Sequence, residues 1–174
     1  PPTIITEHFS LRDQVENNFF SGNELFRCPT IPLAYKGLGD PWLYDFLKKF
    51  SPDLVIVYGA SIVREPLLSL LPYGSMLNVH LGLAPYYRGA GTNFWPFVNQ
   101  EIEYIGATIM CLAGGIDSGD IIAHVLPTVQ SSDTVHTLGC RVIEKSAQQV
   151  VKIIKAIQEG RRIKPTSQWK AESV

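Results

Sequence analysis

The chain has 174 residues and a mass of 19.3 kDa, enough to bury about 70% of the unfolded surface in one core. Its 15 Lys and Arg against 16 Asp and Glu leave a formal charge of −1, which supplies no basic field for a nucleic-acid partner, and 45% hydrophobic with 18% charged residues is the composition of a folded globule. No apolar run reaches the roughly 18 residues of a membrane span, Pro1-Pro2-Thr3-Ile4-Ile5 lacks a basic leader region, and Cys28, Cys111 and Cys140 form no Cys-x-x-Cys pair, so a cytoplasmic protein with reduced, buried thiols is expected.

Along the chain, Ser10 followed by Leu11, Val15 and Phe19, with Asp13 in capping-box position, predicts a helix over 11–20. Asp40-Pro41 is an N-cap and first-turn pair, and Trp42, Leu43, Phe46, Leu47 and Phe50 share one helical face, which predicts a second helix over 41–50. Leu54 to Tyr58 is a short apolar run ending at Gly59, the pattern of a strand buried on both faces. A shorter helical stretch is predicted over 62–71, then a strand over Met76 to His80, a Gly- and Pro-rich loop over 81–91, and a short helix over 92–99. Strands over 105–110 and 121–126, joined by the turn-rich segment 113–119, have the makings of an antiparallel pair. Val135, Leu138, Val142, Ile143, Val150, Val151, Ile154 and Ile157 keep one face of a long helix over 132–159, closed by Gly160. Strands alternating with helices predict an α/β fold: a mostly parallel, Rossmann-like sheet flanked by helices, which binds ligands at the carboxyl ends of its strands.

That rule directs attention to Asn78, His80 and Asp117, which lie near glycine-rich turns. Residues 78 and 80 point to one side of a strand, about 7 Å apart, so an amide and an imidazole address the same bound group. Taken singly, each residue is equally a structural group: a hydrogen-bonded core histidine, an asparagine tying a loop, an aspartate in a turn.

Read together, the string Leu77-Asn78-Val79-His80-Leu81-Gly82-Leu83-Ala84-Pro85-Tyr86-Tyr87-Arg88-Gly89, then Gly106-Ala107-Thr108-Ile109-Met110, then Gly115-Ile116-Asp117-Ser118-Gly119-Asp120-Ile121-Ile122, closely resembles the folate-dependent formyltransferase family, most strongly over 52–128. The run Gly89-Ala90-Gly91-Thr92-Asn93-Phe94-Trp95 is most similar to members that formylate small molecules such as amino sugars. The resemblance implies a formyltransferase-type domain over 1–174, shortened at its N-terminus so that the first βαβ unit is incomplete or absent. It implies transfer of a formyl group from 10-formyltetrahydrofolate to a primary amine, with Asn78, His80 and Asp117 at the reaction centre. Folate would lie along Ser61-Ile62-Val63 and Cys111-Leu112-Ala113-Gly114-Gly115-Ile116, held largely by backbone groups, and Tyr86, Arg88 and Asn93 would contact the amine. The expected acceptor is a small metabolite, such as a nucleotide-linked amino sugar or glycinamide ribonucleotide, with no nucleic acid, membrane or metal involved and with a homo-oligomer compatible. A formyltetrahydrofolate hydrolase and a folate-binding module without turnover are the alternatives. Gly82 and Ala84 depart from the serine and leucine of the commonest family string, and His8, His124 and His136 match no family position and read as structural or surface residues.

Overall fold

A computed structural model of the protein describes residues 2–23, 25–34 and 37–170. Helix α1 (Pro2–Phe20) is followed by α2 (Pro41–Phe50), β1 (Val55–Tyr58), β2 (Met76–His80), the short α3 (Trp95–Val98), β3 (Ala107–Cys111), β4 (Ile121–Val125) and the long α4 (Val135–Gln158). The strands form one sheet in the order β1-β2-β3-β4. The helix-flanked sheet expected from the sequence is present, but it is less parallel than the helix–strand alternation suggests. β1 runs parallel to β2, whereas β2–β3 and β3–β4 are antiparallel, with β3 and β4 joined by a turn too short for a crossover.

Four further expectations are corrected. The first helix begins at Pro2 rather than at residue 11, so Ser10 lies inside it instead of capping it; contacts of α1 with α4 extend the helix upstream of the local capping signal. Of the stretch 62–71, only Leu67–Ser69 forms a single 3-10 turn, because Pro66 and Pro72 remove backbone donors at either side. The helix expected over 92–99 is confined to α3. Of the cysteines, Cys111 and Cys140 are buried, with their thiols pushed up by burial, but Cys28 is exposed. No described helix is long and apolar enough to cross a membrane.

The sheet separates two apolar layers. On one face, Leu77, Val79, Ala107 and Ile109 pack with Leu138, Val142 and Ile153 of α4; on the other, Met76 packs with Leu43 of α2, Val63 and Leu67. Each fully buried aliphatic side chain in such layers contributes about 1.5–3 kcal/mol of transfer free energy. Because side chains alternate along β2, Asn78 and His80 fall on the face of Met76, beyond the end of its apolar cluster, while Leu77 and Val79 anchor the strand to α4. Burial of the strand thereby fixes which way the two polar side chains point.

The segment after α4 returns along the sheet. Thr166 pairs with Ile121 through both backbone hydrogen bonds, 2.7 and 2.8 Å.

At its start, α4 carries a reciprocal capping box between Thr134 and Thr137, and Arg141 reaches back to donate two hydrogen bonds to Asp133, 2.7 and 2.8 Å. The guanidinium holds the Asp133 carboxyl below its ordinary value. A carboxyl depressed in the folded state adds stability that is complete above its unfolded value, about pH 4, and disappears as the pH falls through the lower folded value. Asp133→Asn is therefore expected to lower the thermal midpoint at neutral pH, with the gap from the parent narrowing below about pH 4. Midpoints recorded from neutral pH down to about pH 2 check this, and an unchanging gap contradicts it.

Candidate active site

β2 ends at His80, and its neighbour β3 places Thr108 opposite His80 and Met110 opposite Asn78. The connection out of β2 is pinned at three points. Thr108 Oγ1 donates to the carbonyl of Gly82 and accepts from the amide of Ala84, at 2.7 and 2.9 Å, and the Thr92 hydroxyl donates to the carbonyl of Leu81. Gly82 is required by space, since a Cβ there would stand 2.6 Å from both His80 Nε2 and Thr92 Cβ.

The turn after β3 carries Asp117 with φ of +44°, a left-handed backbone that Asp and Asn tolerate better than other L residues. In this conformation its carboxylate accepts two hydrogen bonds, from Asn78 Nδ2 on Oδ1 at 2.8 Å and from the Gly89 amide on Oδ2 at 2.9 Å, and its Oδ2 stands 3.3 Å from His80 Nδ1. The expected trio therefore meets at one point, drawn from two stretches of chain. His80 and Asp117 are mostly buried, with side chains 7% and 13% exposed, so their interaction is weakly screened by solvent.

The His80 ring has a second neighbour besides Asp117. Its second nitrogen, Nε2, lies 2.9 Å from the carbonyl of Tyr87. Both ring nitrogens thus face acceptors, and the ring donates to both at once only when doubly protonated. Tyr87 is itself held: its hydroxyl donates to Glu101 and accepts from Asn99 Nδ2 at 2.9 Å, while burial, and then Glu101, push the phenol up. Asn78, with one amide hydrogen on Asp117, keeps the second for a ligand.

The trio lies on the wall of a cleft of about 870 Å³, within the usual range of small-molecule sites. Ser61, Ile62, Val63, Cys111, Leu112, Ala113, Gly115 and Ile116 line it, as does Asn93. Gly114 does not, and a Cβ there would face Leu68. Tyr86 and Arg88 also lie outside the lining. Tyr86 packs against Tyr104 and Trp169, and Arg88 is exposed. Asn93 accepts from the Gly106 amide through Oδ1 and leaves a buried, unpartnered Nδ2. Ile62 and Ile116 are 56% and 63% exposed on the rim, apolar surface that a flat heterocycle would cover.

Three histidine readings are revised or refined. His124 is structural, its Nε2 2.8 Å from the Ala84 carbonyl and its ring edge-on to Trp169. His8 of α1 and His136 of α4, whose rings lie 4.6 Å apart, both line the cleft, and burial followed by His8 lowers the His136 value. The sequence carried no signal for them, because the pair is created by α1 packing on α4. Nor did it mark the Gly89 amide and the Tyr87 carbonyl, which are backbone groups independent of residue type.

The sequence model of the formyl transferase family matches residues 10–154. Among curated relatives, the methionyl-tRNA formyltransferase of Clostridium tetani is 34% identical over 131 residues, 74% of this chain and 41% of the relative. The chain spans about two fifths of the length of such relatives. Among solved structures, the formyltransferase PseJ of Anoxybacillus kamchatkensis, in complex with UDP-4,6-dideoxy-4-formamido-L-AltNAc and tetrahydrofolate, superposes with a TM-score of 0.61 at 25% identity, covering 76% of this chain and 78% of that one. Glycinamide ribonucleotide transformylase 1 of Symbiobacterium toebii gives a TM-score of 0.60 at 26% identity, with 72% and 62% covered. A match that runs through all four strands and most of α4 is more than a shared motif around one loop, and on that ground the chain belongs to the formyl transferase family.

Proposed function

We propose that this chain transfers a formyl group from 10-formyltetrahydrofolate to a primary amine of a small metabolite, at the cleft formed by Asn78, His80 and Asp117. The observation that carries the reading is the Asp117 carboxylate, turned by its left-handed backbone onto Asn78, His80 and the Gly89 amide at the wall of a ligand-sized cleft.

The folate, when bound, would supply the formyl carbon, and Ile62, Ile116 and the backbone of 111–113 would hold its heterocycle, being part of the cleft lining. The residues of this chain do the rest. Attack of an amine on a formyl carbon forms a C–N bond, places negative charge on the formyl oxygen and positive charge on nitrogen, and ends by breaking the bond to the departing tetrahydrofolate nitrogen. Asn78 donates its second amide hydrogen to that oxygen. Asp117 accepts the amine proton through water and returns it to the departing nitrogen, while His80, 3.3 Å from its Oδ2, helps to fix its orientation. The Asn93 Nδ2 donor is available to orient the acceptor.

A nucleotide-linked amino sugar or glycinamide ribonucleotide is the favoured acceptor class. A net charge of −1 supplies no long-range attraction to a polyanion, and the run 89–95 has the character of small-molecule members. The second reading, an aminoacyl group carried by tRNA, is favoured by the activity named for the Clostridium tetani relative.

The test supplies the protein with 10-formyltetrahydrofolate and a panel of amines: nucleotide-linked amino sugars, glycinamide ribonucleotide and methionyl-tRNA. Formylated small amine and released tetrahydrofolate are expected. Formylated tRNA alone would move the acceptor to the second reading. Formate released without an amine would identify a hydrolase, and calorimetric folate binding with neither product would identify a binding module.

A further inference from the structure

The carboxylate that organises the cleft sits on a left-handed backbone, and that backbone has its own brace from outside the turn. A side chain from the far end of the chain supplies it. Gln168 Nε2 lies 2.8 Å from the carbonyl of Asp117 and 2.8 Å from the carbonyl of Gly119, so one amide group spans the tripeptide that presents the carboxylate. The assignment of the amide is fixed by its surroundings, since the opposite orientation would set its oxygen against two carbonyl oxygens. The remaining oxygen, Oε1, is buried without a partner, a cost accepted to bring both donors to the turn.

The segment that carries Gln168 is itself pinned on either side. Thr166 makes two backbone hydrogen bonds with Ile121, fixing the register of the strap on β4. Trp169 donates to the Tyr86 hydroxyl at 3.3 Å and packs edge-on against the His124 ring, and His124 bonds the Ala84 carbonyl. The strap thus reaches both loops of the cleft: the Asp117 turn through Gln168 and the loop after β2 through Trp169.

We propose that Gln168 is a positioning residue, which clamps the Asp117 and Gly119 carbonyls and so keeps the Asp117 carboxylate aimed at Asn78, His80 and the Gly89 amide. This rests on the formyl-transfer reading only for its consequence on rate; the clamp itself is a claim about geometry.

Two variants test it. Gln168→Ala removes the donors and the packing, and Gln168→Met removes the donors while filling the space, so that a loss shared by both is a loss of the two hydrogen bonds. Nitrogen-15 NMR of the Gly89 amide, which donates to Asp117 Oδ2, reports the clamp without reference to turnover. Both variants are expected to move the Gly89 resonance in the direction seen in Asp117→Ala. They are expected to lower kcat about 10- to 100-fold with the KM for the amine unchanged, as for other residues that orient a reacting group from behind. The rate loss should not add to that of Asp117→Ala in the double variant, because both act through one carboxylate. A Gly89 resonance unmoved in Gln168→Met, or rate losses that multiply in full, would overturn the proposal. A parent protein that transfers no formyl group, yet shows the Gly89 shift on losing Gln168, would sink the functional reading and leave the clamp standing.

Discussion

Asp117→Asn is expected to lower the rate of formyl transfer by about 100- to 10,000-fold, the range set by removing a positioned proton acceptor. The substitution keeps volume and tolerates the left-handed backbone, and the carbonyls gripped by Gln168 are untouched. What changes is that an amide replaces a carboxylate whose two oxygens both face donors. One position becomes an NH₂ that faces either the Asn78 amide or the Gly89 amide and His80 together. His80→Ala is expected to cost about 100- to 1000-fold, the scale of losing one charge-assisted group from a preorganised site. Rates measured beside thermal melts check both. Folded variants that retain the parent rate within about tenfold would remove the trio from the chemistry.

Gly119→Ala is expected to be the most destabilising single methyl in the molecule. A Cβ at this position would stand 1.8 Å from the Cys111 carbonyl oxygen and 2.8 Å from its carbon, and both are backbone atoms of a fully buried strand. A flexible side chain could swing away, but β3 is held on both edges by β2 and β4, and the Cys111 amide already donates to the Asp120 carbonyl at 2.9 Å. The turn must therefore move as a whole, and the loss should reach or exceed the upper end of the overpacking range, about 3 kcal/mol. Urea denaturation checks it through the midpoint. A midpoint within error of the parent would mean that the close approach at Gly119 is relaxed in solution.

The two predictions differ in how far the sequence foretold them. Asn78 and His80 were legible because period-two alternation along an apolar strand fixes their common side, and Asp117 because it stands in a turn whose string resembles a known family. The long helix over 135–158 was legible from its apolar face, and β1 and β2 from their uninterrupted apolar runs. The start of α1 was not, since Ser10 offered a local cap while the helix is extended by packing on α4. The pairing directions of β3 and β4 followed the short turn between them rather than the general pattern of alternating helices and strands. Gln168 left no trace in the sequence. Its partners are carbonyls, which every residue has, and they become partners only when a strap folds back along β4. The cleft-lining His8 and His136 were hidden for the same reason, being far apart in the chain and joined only by the contact of two helices.

The carboxylate at the centre of the cleft takes its shape from hydrogen bonds that span 28, 39 and 51 residues of sequence. The shortest contiguous peptide that contains them all runs from Asn78 to Gln168, so the geometry of the cleft belongs to the folded sheet and its returning strap rather than to a motif. A chain cut back to the motif strings would keep the Asn78 and Gly89 bonds to the aspartate and lose the bond that Gln168 makes to its carbonyl.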